Sequence, residues 1–204
     1  MKEKVIIYNI LSEKEKNMKK KIKFLLYMIR FTFIFGGVEW NNVILSKDLK
    51  RWKLVYKLNC SDRKALAYLL WEKKEFRNLF IYRNQKRVLF RYLIKIIYPP
   101  MDTLYIETPD IGGGLFIQHG FATIISAKKM GENCWVNQQV TIGYKNELNP
   151  PSIGNNVMIT CGAKILGDIV IGDNVVIGAN AVVINNVESG STVGGVPAKK
   201  LRKK

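Results

Sequence analysis

A chain of 204 residues in which 48% are apolar can bury the core of one domain or of two small ones, and this excludes a disordered chain. Cys60, Cys134 and Cys161 are odd in number and far apart, with no CxxC pair, which excludes a disulfide framework and a cysteine zinc site and points to a reducing cytoplasm. The net charge of +17 is uneven: residues 1–100 hold 24 Lys/Arg against 8 Asp/Glu, and the rest 9 against 8, so only the first half is expected to face a lipid surface, an acidic acceptor or a nucleic acid.

Residues 1–100 contain no proline before Pro99 and space their apolar residues at i, i+3 and i+4, which predicts helices. KALAYLLW at 64–71 and KRVLFRYLIKIIY at 86–98 set apolar residues on one side and Lys/Arg on the other. Pro99-Pro100 ends the last helix and divides a basic helical domain, 1–100, from a second domain, 101–204. The run KKKIKFLLYMIRFTFIF at 19–35, broken by Arg30, falls short of the roughly 20 apolar residues a spanning helix needs. A buried helix is its first reading and a helix lying peripherally on an anionic membrane its second. Met18 is an alternative start, and nothing below depends on residues 1–17.

Residues 153–188 divide into sixes, IGNNVM, ITCGAK, ILGDIV, IGDNVV, IGANAV and VINNVE, each led by an aliphatic residue. The register continues upstream at Ile124, Met130, Val136 and Ile142, and, after a one-residue insertion, at Ile111 and Ile117. Gly, Asn and Asp follow the lead residues, and these types tolerate the positive φ of tight corners. An α-helix would lose about 1 kcal/mol at each glycine. The expected fold class is therefore α+β: the helical domain, then a parallel β-helix of about four coils with three hexads each. The tail SGSTVGGVPAKKLRKK from residue 189 breaks the period and is expected to leave the stack through the Gly194-Gly195 turn and Pro197.

Taken in order, IGGGLFIQHG, MGENCWVNQQVTIG, IGNNVMITCGAKILG, IGANAVV and GVPAKKL resemble the serine acetyltransferase-like branch of the hexapeptide-repeat acyltransferases, which includes surface-polysaccharide O-acetyltransferases. That resemblance, over residues 104–204, implies a left-handed parallel β-helix, a homotrimer or dimer of trimers with active sites between subunits, and acetyl-CoA as acyl donor. It implies that His119, the sole histidine, is the base that takes the acceptor's proton. A neutral imidazole suits that task. A carboxylate is needed to orient it. Glu107 is the candidate, with Asp110 and Asp102 beside it, a solvated corner carboxylate being the alternative for each. The same resemblance places the cofactor against Gly143, Tyr144, Cys161, Gly162 and Ala179, with Lys199 near its phosphates. Taken on their own, these residues read equally as corner glycines, a packed cysteine and a solvated lysine.

GYKNELNPPS, between Ile142 and Ile153, must loop out of the stack, and the resemblance implies that this loop shapes the acceptor pocket. Serine-specific members of the family carry Arg-His-Pro in this loop and an Asp before the catalytic His. Here the matching residues are Leu148, Asn149 and Pro150, and Gln118. Gln118 and Asn149 are neutral, so a sugar or surface-polysaccharide hydroxyl is the expected acceptor, and L-serine, giving O-acetylserine for cysteine synthesis, the alternative. One histidine cannot furnish a three-histidine zinc site, so no metal is expected. No nucleic-acid motif accompanies the basic charge, which argues against a binding protein without catalysis. The expected location is the cytoplasm, with peripheral contact at the inner face of the membrane.

Overall fold

The structure is a computed structural model that describes residues 2–146 and 149–201, with side chains for all of these except 2–17 and 20. Five helices come first: α1 Lys2–Phe35, α2 Val43–Val55, α3 Asp62–Glu72, α4 Lys74–Arg83 and α5 Val88–Ile97. Asn42 caps α2 by accepting the Leu45 N–H at 3.0 Å, which satisfies one of the helix's free amides. Phe31, Leu49, Trp52, Leu66, Leu70, Phe76, Leu79 and Ile94 are buried in a core that continues into the second half.

α5 buries Ile94 and exposes Val88, Leu89, Tyr92 and Ile96; α1 exposes Leu25, Ile29 and Phe33. Lysines and arginines border these strips. No helix among the described residues is long and apolar enough to cross a membrane.

The second half winds into a three-faced prism. Its first face holds β1 Leu104–Ile106, β3 Thr123–Ile125, β6 Thr141–Gly143, β9 Lys164–Leu166 and β12 Val182–Val183. The second holds β4 Lys129–Met130, β7 Ser152–Ile153 and β10 Val170–Ile171, extended by isolated bridges at Ile111 and Val187. The third holds β2 Phe116–Ile117, β5 Trp135–Val136, β8 Met158–Ile159, β11 Val176–Ile177 and β13 Thr192–Gly194, with β14 Lys199–Lys200 antiparallel at its end. All other pairings are parallel, because each strand meets the strand one full coil away.

Each short strand sends its lead residue and the residue two before it inward. Leu115 and Ile117, Cys134 and Val136, Val157 and Ile159, and Val175 and Ile177 are all fully buried. Two expectations need correcting. The chain makes five coils, not four, because β1 opens a coil ahead of the first recognised hexads and β13 closes one beyond residue 189. Ser191 and Val193 still point inward, and the chain leaves the stack at the expected Gly194-Gly195 turn, returning as β14 antiparallel to β13. The inward residue of β3 is Ile125, which is fully buried, and not Ile124, which is 39% exposed. Eight residues separate Ile117 from Ile125, so the corner that carries His119 holds two extra residues and not one.

The helices close the first coil. Trp52 of α2 lies over Phe116 of β2, with ring centroids 4.6 Å apart. Asp48 and Arg83 form a buried ion pair at 2.8 Å. Asp48 accepts the Gly114 N–H at 2.7 Å, and Arg83 donates to the carbonyls of Ile111 and Gly112. These charges are held by the backbone of the coil they cover.

Candidate active site

His119 sits where the chain turns from the third face to the first. Its φ of +62° is unusual for a residue with a side chain, and the Phe121 N–H bonds back to its carbonyl, closing a tight turn. The ordinary left-handed corner residue of this coil is Ala122, φ +51°, matched on later coils by Gln139, Gly162 and Asn180. The extra residues therefore project His119 from the edge of the prism. Its imidazole is exposed and makes no hydrogen bond to another described residue.

The same edge carries Gln118 beside the base, then Gln138, then Cys161 with Gly162, then Ala179 with Asn180. Pairing of Ile117 with Val136 sets Gln138 next to the His119 corner. The Gln138 Oε1 is buried without a hydrogen-bond donor among the described residues. Gly162 takes φ +74°, and a Cβ there would lie 1.9 Å from Asn180 Oδ1, so the narrow edge excludes a side chain.

The remaining sequence-derived residues lie elsewhere. Gly143 ends β6 on the first face, buried but with open space where a Cβ would stand, and exposed Tyr144 follows it towards the second face. Asn149 is exposed on that same edge and donates to Asp168 at 3.3 Å; Leu148 lies outside the described residues. Lys199 is exposed on β14. One chain thus separates Gly143, Tyr144 and Asn149 from His119 by the width of the first face.

Glu107 is also on the first-to-second edge, and neither it nor Asp110 or Asp102 touches His119. Glu107 is at the far end of β1 from the His119 corner, three residues and roughly 10 Å along the strand from Leu104. With Asp102 it lines a cleft of about 510 Å³ between α4, α5 and β1, together with Asn78, Arg91 and Lys95. The expected pairing of Glu107 with His119 is not present in the chain.

The carboxylate beside the corner is Glu75, from α4. A Cβ built on Gly120 would lie 3.1 Å from Glu75 Cγ, and equally close to side-chain atoms of Ile117 and Leu104. Glu75 is half-buried and makes no hydrogen bond or ion pair among the described residues. Reading the chain locally missed it because 44 residues separate it from His119 and it stands in the charged run EKKEF. Among the described residues no cluster of His, Cys, Asp and Glu could hold a metal ion.

Burial pushes the Cys134 thiol up to about 11. Cys161, on the His119 edge, is partly exposed and free.

A family model described as bacterial transferase hexapeptide (six repeats) matches residues 150–185. A serine acetyltransferase of Staphylococcus xylosus is 40% identical over 121 residues, 57% of this chain and 56% of that protein. One of Helicobacter pylori is 42% identical over 98 residues, covering 46% and 57%. This chain thus spans little more than half the length of these curated relatives. A crystal structure of Neisseria gonorrhoeae serine acetyltransferase in complex with serine superposes with a TM-score of 0.57 at 26% identity, covering 78% of this chain and 68% of that one.

These likenesses overturn the expected sugar or surface-polysaccharide acceptor: the named relatives are serine acetyltransferases, and a solved neighbour holds serine. The expectation rested on three residues of the linear sequence, Gln118, Leu148 and Asn149, and omitted what the helices bring to the corner. Hexad spacing, coil geometry and the family match agree that residues 104–201 form a hexapeptide-repeat parallel β-helix, similar in fold to the solved serine acetyltransferase.

Proposed function

We propose that this chain transfers the acetyl group of acetyl-CoA to the hydroxyl of L-serine, giving O-acetylserine and CoA, with His119 as the base. The observation that carries this reading is His119 itself, the single histidine, displayed by an inserted turn on the edge of a hexapeptide coil. The names of the 40–42% identical relatives support the donor and the acceptor.

A neutral imidazole accepts the hydroxyl proton as the serine oxygen attacks the thioester carbonyl carbon. The C–S bond breaks, and the imidazolium returns the proton to the CoA thiolate. Gln118 and Asn149 offer neutral amides to the acceptor, and the free Gln138 Oε1 offers a buried oxygen to an ammonium N–H. Cys161, Gly162 and Ala179 form a narrow, small-residue edge that a pantetheine arm can approach closely. Gly143 and Tyr144 add an open wall and Lys199 a phosphate partner.

These groups stand on two edges of one prism, so a complete site requires two copies of the chain, with the first-to-second edge of one facing the third-to-first edge of the next. Repeated head to tail, that contact closes into a ring, which supports the homotrimer. The free cysteines support a reducing, cytoplasmic setting.

Thiol release from acetyl-CoA in the presence of serine tests the reading. Turnover is expected, and His119→Ala should lower kcat by about 100-fold or more. Failure to acetylate serine, or full activity in His119→Ala, overturns it. Sedimentation should give about three times the chain mass of 23.4 kDa; an active monomer contradicts the shared site.

A further inference from the structure

We infer that Glu75 is the positioning residue of His119, its carboxylate reaching from the helical half across Gly120 to hold the imidazole. This rests on His119 acting as the base. A general base of this kind needs an acceptor for its second ring N–H, which fixes the tautomer and the ring plane and stabilises the imidazolium that forms. The acidic residues that the repeat half supplies nearby, Glu107, Asp110 and Asp102, do not touch His119. The position of the first coil nearest the His119 corner is occupied by Leu104, whose side chain cannot accept a hydrogen bond.

Glu75 fills that gap. Its Cγ lies against the same point in space as the Leu104 and Ile117 side chains, at the position a Gly120 Cβ would contact. Gly120 is buried and has φ +21°, and a Cβ there would press on the side chains of Glu75, Ile117 and Leu104 alike. Both Glu75 and His119 lack a hydrogen-bond partner among the described residues, leaving each available to the other. Catalytic hydrogen bonds of this type commonly tighten when substrates bind.

The other described ionisable groups near Glu75 make no hydrogen bond or ion pair with it. Arg77 spends its guanidinium on the carbonyls of Leu70, Trp71 and Pro99. Lys73 lies over the Tyr56 ring at 4.1 Å. The proximity of Glu75 contributes to raising the Tyr56 pKa, though burial contributes more, so that phenol stays neutral and carries no competing charge. α4 is anchored in the turn that follows Glu75, by the buried Phe76 packing on Trp52 at 5.0 Å and by Asn78 donating to the carbonyls of Met101 and Leu104. The carboxylate is therefore placed by rigid elements.

Because His119 is the sole histidine, its titration can be followed directly by NMR in the whole, ligand-free protein. A nearby carboxylate raises an imidazole pKa. Glu75→Gln should therefore lower the His119 midpoint, and Glu75→Asp should restore part of the change. Glu188→Gln, at the far end of the stack, removes the same charge and should leave the midpoint where it is. In turnover, Glu75→Gln should lower kcat about 10-fold or more with the KM for acetyl-CoA unchanged, and move the base limb of the pH profile to lower pH.

An unmoved His119 midpoint in Glu75→Gln overturns the assignment, as does a pH profile that only loses height. Should Glu75→Gln fail to fold, the ¹³C-carboxyl shift of Glu75 in the unmodified protein decides: it must inflect at the His119 midpoint, and its absence there rejects the pairing. If the protein does not acetylate serine at all, the proposed reaction fails while the two titrations still settle Glu75.

Discussion

The indole Nε1 of Trp52 donates a 2.8 Å hydrogen bond to the carbonyl oxygen of Leu115, so one side chain of α2 both covers the first coil and satisfies its backbone. Trp52 is fully buried, between Tyr56, Phe76 and Phe116. Trp52→Ala should cost about 3–5 kcal/mol in urea unfolding, from the cavity and the orphaned carbonyl together. Trp52→Phe should cost less, about 1–3 kcal/mol. Activity should fall with both, because Phe116 precedes Gln118 and His119 by two and three residues.

Asp48 and Arg83 are a buried pair whose remaining hydrogen bonds go to the backbone at Ile111, Gly112 and Gly114. Arg83→Met should cost about 3–5 kcal/mol, since it strands a carboxylate with 2% exposure. Adding Asp48→Asn, which keeps an acceptor for the Gly114 N–H, should recover part of that loss. Additive losses in a double-mutant cycle would show that the two groups do not depend on each other.

The corners make a backbone prediction. Gln139 holds φ +59° where Gly162 and Asn180 stand one and two coils on in equivalent corners, and asparagine tolerates this region better than glutamine. Gln139→Asn should raise stability by about 0.5 kcal/mol. Gly162→Ala should lower it by about 1–3 kcal/mol, because the new methyl meets Asn180. Thermal melts of the two variants should move in opposite directions.

The cysteines offer a chemical map of the donor site. With its thiol held near 11 and fully buried, Cys134 should resist iodoacetamide at pH 8 in the folded protein. Cys60 and Cys161 should react. Saturating CoA should protect Cys161 and leave Cys60 unprotected, read by peptide mass spectrometry; equal labelling of Cys161 with and without CoA would move the pantetheine path off this edge.

Much of the architecture is legible in the linear chain because a period of six is a local property. Ile153, Ile159, Ile165, Ile171 and Ile177 each face inward for a reason visible within their own hexad, and Pro99-Pro100 marks the end of α5 by the chemistry of proline. Legibility fails at insertions. The two extra residues before Ile125 shift the inward register of β3, and hexad counting assigns Ile124 in its place. The fifth coil escapes the count because Glu107, and not a glycine, follows Ile106 of β1, and because Ser191 stands where an aliphatic residue is expected.

The sequence by itself determined the repeat, the helical character of the first half and the singular position of His119. Only the tertiary structure decided which carboxylate stands beside the Gly120 corner next to that histidine. Glu107 is twelve residues from His119 and leaves the coil at another corner, whereas Glu75, 44 residues away, is brought to Gly120 by the packing of α4 on the first coil. Sequence distance measures proximity only along one strand or helix. In a coil of three faces, neighbours are set by stacking and by what packs across the edge, and both come from buried contacts between segments that are remote in the chain.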